Sequence, residues 1–425
     1  MKRLLCLVCA ALMLFACTAK KGPAPDASTV DPDADTEPAE VLDPKALPDF
    51  PIPEIKGYEG FADVLSAKLM DGTKNRNLSP ISVYLALAMT AEGAKGDTQA
   101  AMIKLLGCES LEELRGVCGA MLDHLSTDRE DATLVFANSI WLAERDQTLH
   151  FGEDFLKTLA DTYRSEANAV RFGTEETKKQ IADWITEHTR GKIKISPDAL
   201  QFDTETVAVL INTIYLKAGW TDPFYEGATV EGTFFGPDGE QTVRYMTRQN
   251  DASRIVKGDG FLRYSFGIYP IGYMTFVLPD EGTPLSALLG SPEKLDALLR
   301  GGEAITADVS VKLPKFKFQD KLELNEVLQS LGIGIAFSPG ADFTNMVESN
   351  AAISRVLQES FIGVDEKGVE AAAYTMVAMN EGAMMLPEDL PKIDFHLTRP
   401  FLYVIEAWDG TVLFIGTVTE PTAAE

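Results

Sequence analysis

Asp365-Glu366-Lys367-Gly368-Val369-Glu370-Ala371-Ala372-Ala373, continued by Tyr374-Thr375-Met376-Val377, is a stretch of mostly small residues that alternate in character. Drawn as a strand, it places Val369, Ala371, Ala373, Thr375 and Val377 on one face and Glu370, Ala372, Tyr374 and Met376 on the other. The first face is small and uncharged. Such a strand can join a packed sheet, where an unpartnered charge on the buried face would be strongly unfavourable. No proline lies between Asp365 and Leu386, so the backbone donors of this stretch are able to pair in a sheet. A merely flexible alanine-rich surface loop predicts no such alternation.

Upstream, Gly57 to Leu69, Pro80 to Gly93, Thr98 to Leu106 and Ser110 to His124 carry helical spacing, the second with Ser79 as its expected cap and Pro80 in the first turn. Ala132 to Trp141 reads as a strand, and Phe151 to Tyr163 and Glu175 to Thr189 as helices. Thr206 to Leu216 is apolar enough for a central strand. From Glu231 onward short strands dominate, clearest at Leu262 to Tyr264, Tyr273 to Leu278, Asp308 to Leu313, Ser360 to Asp365, Phe401 to Ala407 and Val412 to Val418. Helices that lead and strands that follow give an α+β fold.

The 425 residues are 45% hydrophobic and carry a formal charge of -26, which suits a large apolar core and disfavours nucleic acid as a partner. Lys2 and Arg3 followed by the apolar run Leu4 to Ala16 read as a signal peptide over residues 1–16, the run being short of the roughly 20 residues a spanning helix needs. Leu14-Phe15-Ala16-Cys17 resembles a bacterial lipoprotein signal, in which cleavage leaves the cysteine first and lipidated; ordinary cleavage without lipid is the alternative. Residues 17–50, rich in Pro, Ala, Asp and Thr, read as a disordered acidic tether and 51–425 as a single domain. The chain is expected to be exported and lipid-anchored through Cys17 to a bacterial cell envelope, facing the periplasm or the cell exterior. Cys108 and Cys118 are expected as two buried thiols, because a helix from Ser110 carries Cys118 about 12 Å along its axis from the helix start.

Enzyme chemistry has no positive signal. The four histidines, His124, His150, His188 and His396, lack the spacing of a helical zinc site, and Gly191-Lys192 is followed by Ile193 rather than the hydroxyl a phosphate loop uses. No metal and no cofactor is expected.

Seven blocks in order resemble the serpins, the serine protease inhibitor family. They are Asn77-Leu78-Ser79-Pro80-Ile81-Ser82, Gly93-Ala94-Lys95-Gly96-Asp97-Thr98, Leu210 to Trp220, Leu313-Pro314-Lys315-Phe316, Asp365 to Ala373, Arg399-Pro400-Phe401-Leu402-Tyr403 and Leu413-Phe414-Ile415-Gly416. The resemblance implies a serpin fold with three β-sheets, eight or nine helices and an exposed reactive loop between Gly368 and Pro400. It implies an irreversible suicide-substrate inhibitor: a target protease forms a covalent acyl complex with the loop, and the cut loop enters the central sheet as a new strand. The loop hinge is then Glu366, Gly368, Val369, Glu370, Ala371, Ala372, Ala373 and Thr375, with Glu370 and Tyr374 on the side the family leaves exposed. A polar sheet-opening cluster falls on Ser79, Ser82, Asn212 and Gln358, the last where the family usually has histidine, and Trp220 matches a tryptophan near the loop's point of insertion.

Family spacing from Glu366 places the reactive bond near Gly382-Ala383, with Met384 and Met385 beside it and Met379 to Leu386 as the bait window. Between Gly368 and Pro391 there is no Lys or Arg, which disfavours trypsin-like targets. Elastase-, chymotrypsin- or subtilisin-like serine proteases suit the small and apolar bait, papain-like cysteine proteases are compatible partners, and a monomer is expected. The alternative is a non-inhibitory binding protein or chaperone on the same fold.

Overall fold

The computed structural model describes residues 57–144, 151–200, 202, 204, 206–348, 351–369 and 389–421, all within one compact unit, Ile52–Glu425. The signal, Cys17 and the acidic tether lie outside the described residues. In chain order the helices are α1 (Tyr58–Leu69), α2 (Pro80–Gly93), α3 (Gly96–Leu105), α4 (Leu111–Leu125), α5 (Glu153–Tyr163), α6 (Glu175–His188), α7 (Pro292–Leu299) and α8 (Asn325–Leu328). The strands are β1 (Arg76–Leu78), β2 (Thr127–Asp128), β3 (Thr133–Ala143), β4 (Glu166–Val170), β5 (Ala208–Trp220), β6 (Val230–Gly236), β7 (Gly239–Gly258), β8 (Phe261–Tyr269), β9 (Gly272–Pro279), β10 (Glu303–Pro314), β11 (Phe316–Glu323), β12 (Arg355–Val364), β13 (Gly368–Val369), β14 (Lys392–His396), β15 (Phe401–Ala407) and β16 (Val412–Val418).

The ladders form three sheet regions that run into one another. The central one is β4-β3-β5-β12-β11, the second is β1-β16-β15-β9-β8, and the third is β6-β7-β10-β14. They join where Gly219 and Trp220 at the end of β5 pair with β8, and where the far end of β7 pairs with β8. β5 is apolar on both faces because both are covered. Leu210, Ile214, Leu216 and Ala218 enter the main core with α2, whose fourteen residues are all buried. Val209 and Ile211 enter a smaller cluster with Ile181, Trp184 and Ile185 of α6. A helix apolar all round needs burial on every side, and α2 has it beneath the central sheet.

Several expectations change; the strand expected over Ser360 to Asp365, for one, runs from Arg355 to Val364, and its first five residues form all the rungs with β5. Ser79 precedes α2, but its hydroxyl makes no cap bond; it donates to Ser82 Oγ at 3.1 Å instead. The central strand expected over Thr206 to Leu216 runs on to Trp220, since Ala218 to Trp220 pair with β13 and β8. The region after Glu231 holds a twenty-residue strand, β7, rather than only short ones. β7 is shared between sheets, and where Ala252 takes a positive φ of 48° its register with β10 shifts, so its polar middle, Gln249 to Asp251, hides the strand from periodicity.

Cys108 and Cys118 are unbridged and buried. Burial pushes the Cys118 thiol well above its usual range. In the native protein an alkylating reagent is expected to leave both thiols unmodified, and in denaturant without reductant to modify both, read by peptide mass; labelling that needs reductant would show a disulfide.

Candidate functional site at the seam of the central sheet

β5 and β12 are parallel neighbours over five rungs, Arg355–Val209 to Glu359–Thr213. Above the last rung, Ile214 to Lys217 and Ser360 to Gly363 have no rung between them among the described residues. The chain leaves the top of β12, turns through Asp365 to Lys367 and returns as β13, antiparallel to both strands: Val369 pairs with Val364 on one side and Ala218 on the other. The central sheet thus has a seam, closed below by backbone pairing and wedged at the top by two residues.

Side chains close the seam from the core side. Gln358 Nε2 donates to Ser79 O (2.9 Å) and Asn212 Oδ1 (3.1 Å), while its Oε1 accepts from Ser79 N (2.9 Å). Asn212 Nδ2 donates to Ser82 O at 3.0 Å and to Asn138 Oδ1. All five residues are buried, so the cluster ties β5 to β12 and both to the start of α2. Each such bond is worth about 1 kcal/mol net, and leaving a buried partner unpaired costs about 1–3 kcal/mol. The four expected residues come together; Asn138 on β3 was not among them.

The hinge is pinned at the top. Trp220 donates Nε1–H to Asp365 O (2.8 Å) and its backbone N–H to Lys367 O (2.9 Å), and its ring packs edge-on against Phe224 and Phe266. Glu366 accepts from Lys315 Nζ (2.7 Å) and Thr229 Oγ1 (2.7 Å) and is 6% exposed. Burial pushes its carboxyl up, but the Lys315 and Thr229 bonds outweigh that and hold it below the usual glutamate range. Gly368 has φ 156°, and a Cβ there would lie 2.2 Å from Ala218 O, so only glycine lets the chain turn in beside β5. Val369 is buried between the strands. Glu370, Ala371, Ala372, Ala373 and Thr375, and the reactive region Gly382, Ala383, Met384 and Met385, lie outside the described residues.

On the opposite face of the last rung stand two groups that sequence reasoning missed, Thr213 and Glu359. Of the histidines, His124 lies 3.6 Å from Asp409, His188 bonds Trp184 O and His396 bonds Ser310 Oγ, while His150 is outside the described residues. Among the described residues no group of three or more His, Cys, Asp or Glu is placed to hold a metal ion.

These features define an α+β domain whose central sheet has a partly unpaired seam at the point where the chain turns into it. The family Serpin (serine protease inhibitor) matches residues 58–421. Serpin-Z1C of Triticum aestivum is 29% identical over 85% of this chain and 93% of its own length, and a leukocyte elastase inhibitor of Sus scrofa is 29% identical over 81% and 92%. Among solved structures, the thermophilic serpin tengpin in its native state superposes with a TM-score of 0.73 at 31% identity, covering 86% of this chain and 94% of that one. An Arabidopsis serpin in its native stressed conformation gives 0.74 at 27%, covering 86% and 98%. The chain belongs to the serpin family, most of whose members are protease inhibitors that bind target proteases and are not enzymes.

Replacing Glu366 by Ala leaves the half-buried Lys315 without its partner and is expected to cost about 1.5–3 kcal/mol, read as a lower urea midpoint. The Glu366 contribution is complete above the ordinary glutamate pKa of about 4.3 and is lost as pH falls through its depressed native value. The Glu366→Gln protein should therefore lose less stability than the parent between pH 5 and pH 3, and equal losses would contradict the assignment.

Proposed function

We propose that the protein is an irreversible suicide-substrate inhibitor of serine proteases with elastase-, chymotrypsin- or subtilisin-like specificity. The observation that carries this reading is β13, two residues of the hinge already seated between β5 and β12 and antiparallel to both. Continuing that register downward brings Ala371 level with Leu216 and Ile362, Ala373 with Ile214 and Ser360, and Thr375 with Asn212 and Gln358. Those neighbours are buried, so the small uncharged face of the hinge meets the face that has least room. On the other face Glu370 comes level with Lys217, a favourable cross-strand pair.

In this mechanism the protease serine attacks the carbonyl of a bond within Met379 to Leu386, near Gly382-Ala383, and the amine side of the bond leaves. The acylated upstream segment then zips into the seam before water reaches the ester. Each rung adds backbone hydrogen bonds to strand edges that otherwise have none there, and the strand carries the covalently bound protease with it. Insertion separates Gln358 from Asn212 and sets the Thr375 hydroxyl between them, a residue able to donate to one and accept from the other.

We also infer that residues 1–16 are an export signal, that Cys17 carries lipid, that 17–50 tether a single domain spanning 51–425, and that the protein acts as a monomer on the periplasmic or outer side of a bacterial envelope. The Lys2-Arg3 start, the apolar run and the following Ala16-Cys17 support this reading.

The mature protein, mixed with elastase, chymotrypsin and subtilisin, should give with at least one of them an adduct that survives boiling in detergent, with a released peptide whose first residue lies between 380 and 386. Ala373→Asp, which puts a charge level with buried Ile214 and Ser360, should abolish the adduct and leave cleavage intact. Cleavage without adduct by every protease, and no rise in Tm after cleavage, would assign the protein to non-inhibitory binding instead.

A further inference from the structure

Glu359 and Thr213 face each other across the lowest point from which the seam can open. They are cross-strand neighbours on the last β5–β12 rung, on the face toward α6, and are 2% and 0% exposed. Cross-strand partners of this kind normally stabilise a pair. Here neither does: Glu359 Oε1 and Thr213 Oγ1 are both buried with no hydrogen-bond partner among the described residues. Their surroundings are apolar, since Leu357 and Phe361 flank Glu359 on its own face, and Ile211, Ile193 and Leu200 belong to the same cluster.

The groups around Glu359 offset its burial only in part: Gln319 and Lys321 of β11 pull the carboxyl down, and burial outweighs them. From β11, Lys321 Nζ stands 3.6 Å from Oε1, an ion pair too long for a hydrogen bond, and also donates to Ala199 O at 3.4 Å. Asp320, the neighbouring acid on β11, accepts from Arg76 and Asn77 N. β5 offers the neutral Thr213 at this rung, and its Lys217 donates to Glu130 O. On Glu359's own strand, Arg355 is paired with Glu323. From the segment that follows α6, Arg190 is paired with Asp128.

We infer that the Thr213–Glu359 rung is the release point of the seam: a charged group ill-matched to its site, whose burial is relieved when β5 and β12 part, so that Glu359 sets how readily the sheet opens. The inserting strand fits the same place. The β13 register, continued, brings Tyr374 level with Thr213 and Glu359 and onto their face, so a phenol donor arrives where the closed seam has two unmet oxygens. The family resemblance implies an exposed side for Tyr374; at this rung its neighbours are buried.

Burial pushes the Glu359 carboxyl up to about 7 against the pull of Lys321 and Gln319. The sign follows from linkage: a carboxyl raised in the closed form favours that form fully below the ordinary glutamate range, and the advantage is lost as pH rises through about 7. Opening should therefore quicken with rising pH and level off above neutrality.

The test uses the intact, uncleaved protein and its Glu359→Gln and Glu359→Leu variants. The first readout is Tm from pH 5.5 to 8.5. The second is the rate at which a synthetic peptide of sequence Val369 to Val377 is taken up. The parent should lose Tm and take up the peptide roughly tenfold faster between pH 5.5 and 7.5, because a proton held more tightly in the closed form than in the open one changes the opening equilibrium up to about tenfold for each step in pH. Glu359→Gln should remove that component, and Glu359→Leu should raise Tm and slow uptake, Lys321 being exposed enough to hydrate alone. A Gln variant whose Tm profile runs parallel to the parent's overturns the inference, as does a Leu variant that melts lower or takes up peptide faster. The uptake arm rests on the inserting-loop reading and the Tm arm does not: peptide refused at every pH with the Tm difference present would defeat that reading alone.

Discussion

The structure depends on how two parallel strands are held together. β5 and β12 share five backbone rungs and then separate, although both continue for several residues, with Ile214, Leu216, Ser360 and Ile362 buried. In an ordinary sheet those residues would go on pairing, because an unpaired buried backbone group costs as much as a lost hydrogen bond. Here the hinge occupies the space at the top of the seam, and polar contacts on either side of it decide how firmly the remainder stays shut. Every functional feature described above is arranged along that line.

Two kinds of contact work against each other there. Gln358, Asn212 and Ser79 satisfy one another in the core and hold the strands in register, while Trp220 and Glu366 fix the turn that delivers the chain into the seam. Glu359 and Thr213, one residue along on the reverse face, leave buried oxygens unmet. A sheet with well-matched groups on both faces would gain little from a new strand. One with a satisfied lock and an unsatisfied neighbour can stay closed and still gain when a donor-bearing strand enters. Gln358, where the resemblance implies histidine, makes the lock's hydrogen bonds without a group that titrates near neutral pH, which leaves Glu359 as the seam group proposed to respond there, Glu366 responding only in acid.

Much of this was legible in the sequence because it is local or ordered along the chain. The helix limits of α2 follow from Pro80 and Gly93, the closing strands β15 and β16 appear with the expected bounds, and the four members of the polar cluster come from blocks in family order. What stayed hidden is pairing across distance. Lys315 lies 51 residues from Glu366 and Asn138 lies 74 from Asn212, separations at which spacing carries no signal. Glu359 was hidden for a different reason. The strand expected over Ser360 to Asp365 begins one residue after it, whereas β12 begins at Arg355, and only α6 and the segment after it, packed over that face, make Glu359 interior. β7 escaped because a strand that serves two sheets changes which side is buried partway along.

The most direct measurement is amide hydrogen exchange on the uncleaved protein and on the protein clipped in its bait region. Where β5 and β12 are not paired with each other, at Ile214 to Lys217 and Ser360 to Gly363, the amides that point into the seam should exchange readily before cleavage and become strongly protected afterwards, with little change at the five closed rungs. Unchanged exchange at those positions after clipping would mean that no strand has joined there, and would contradict the account.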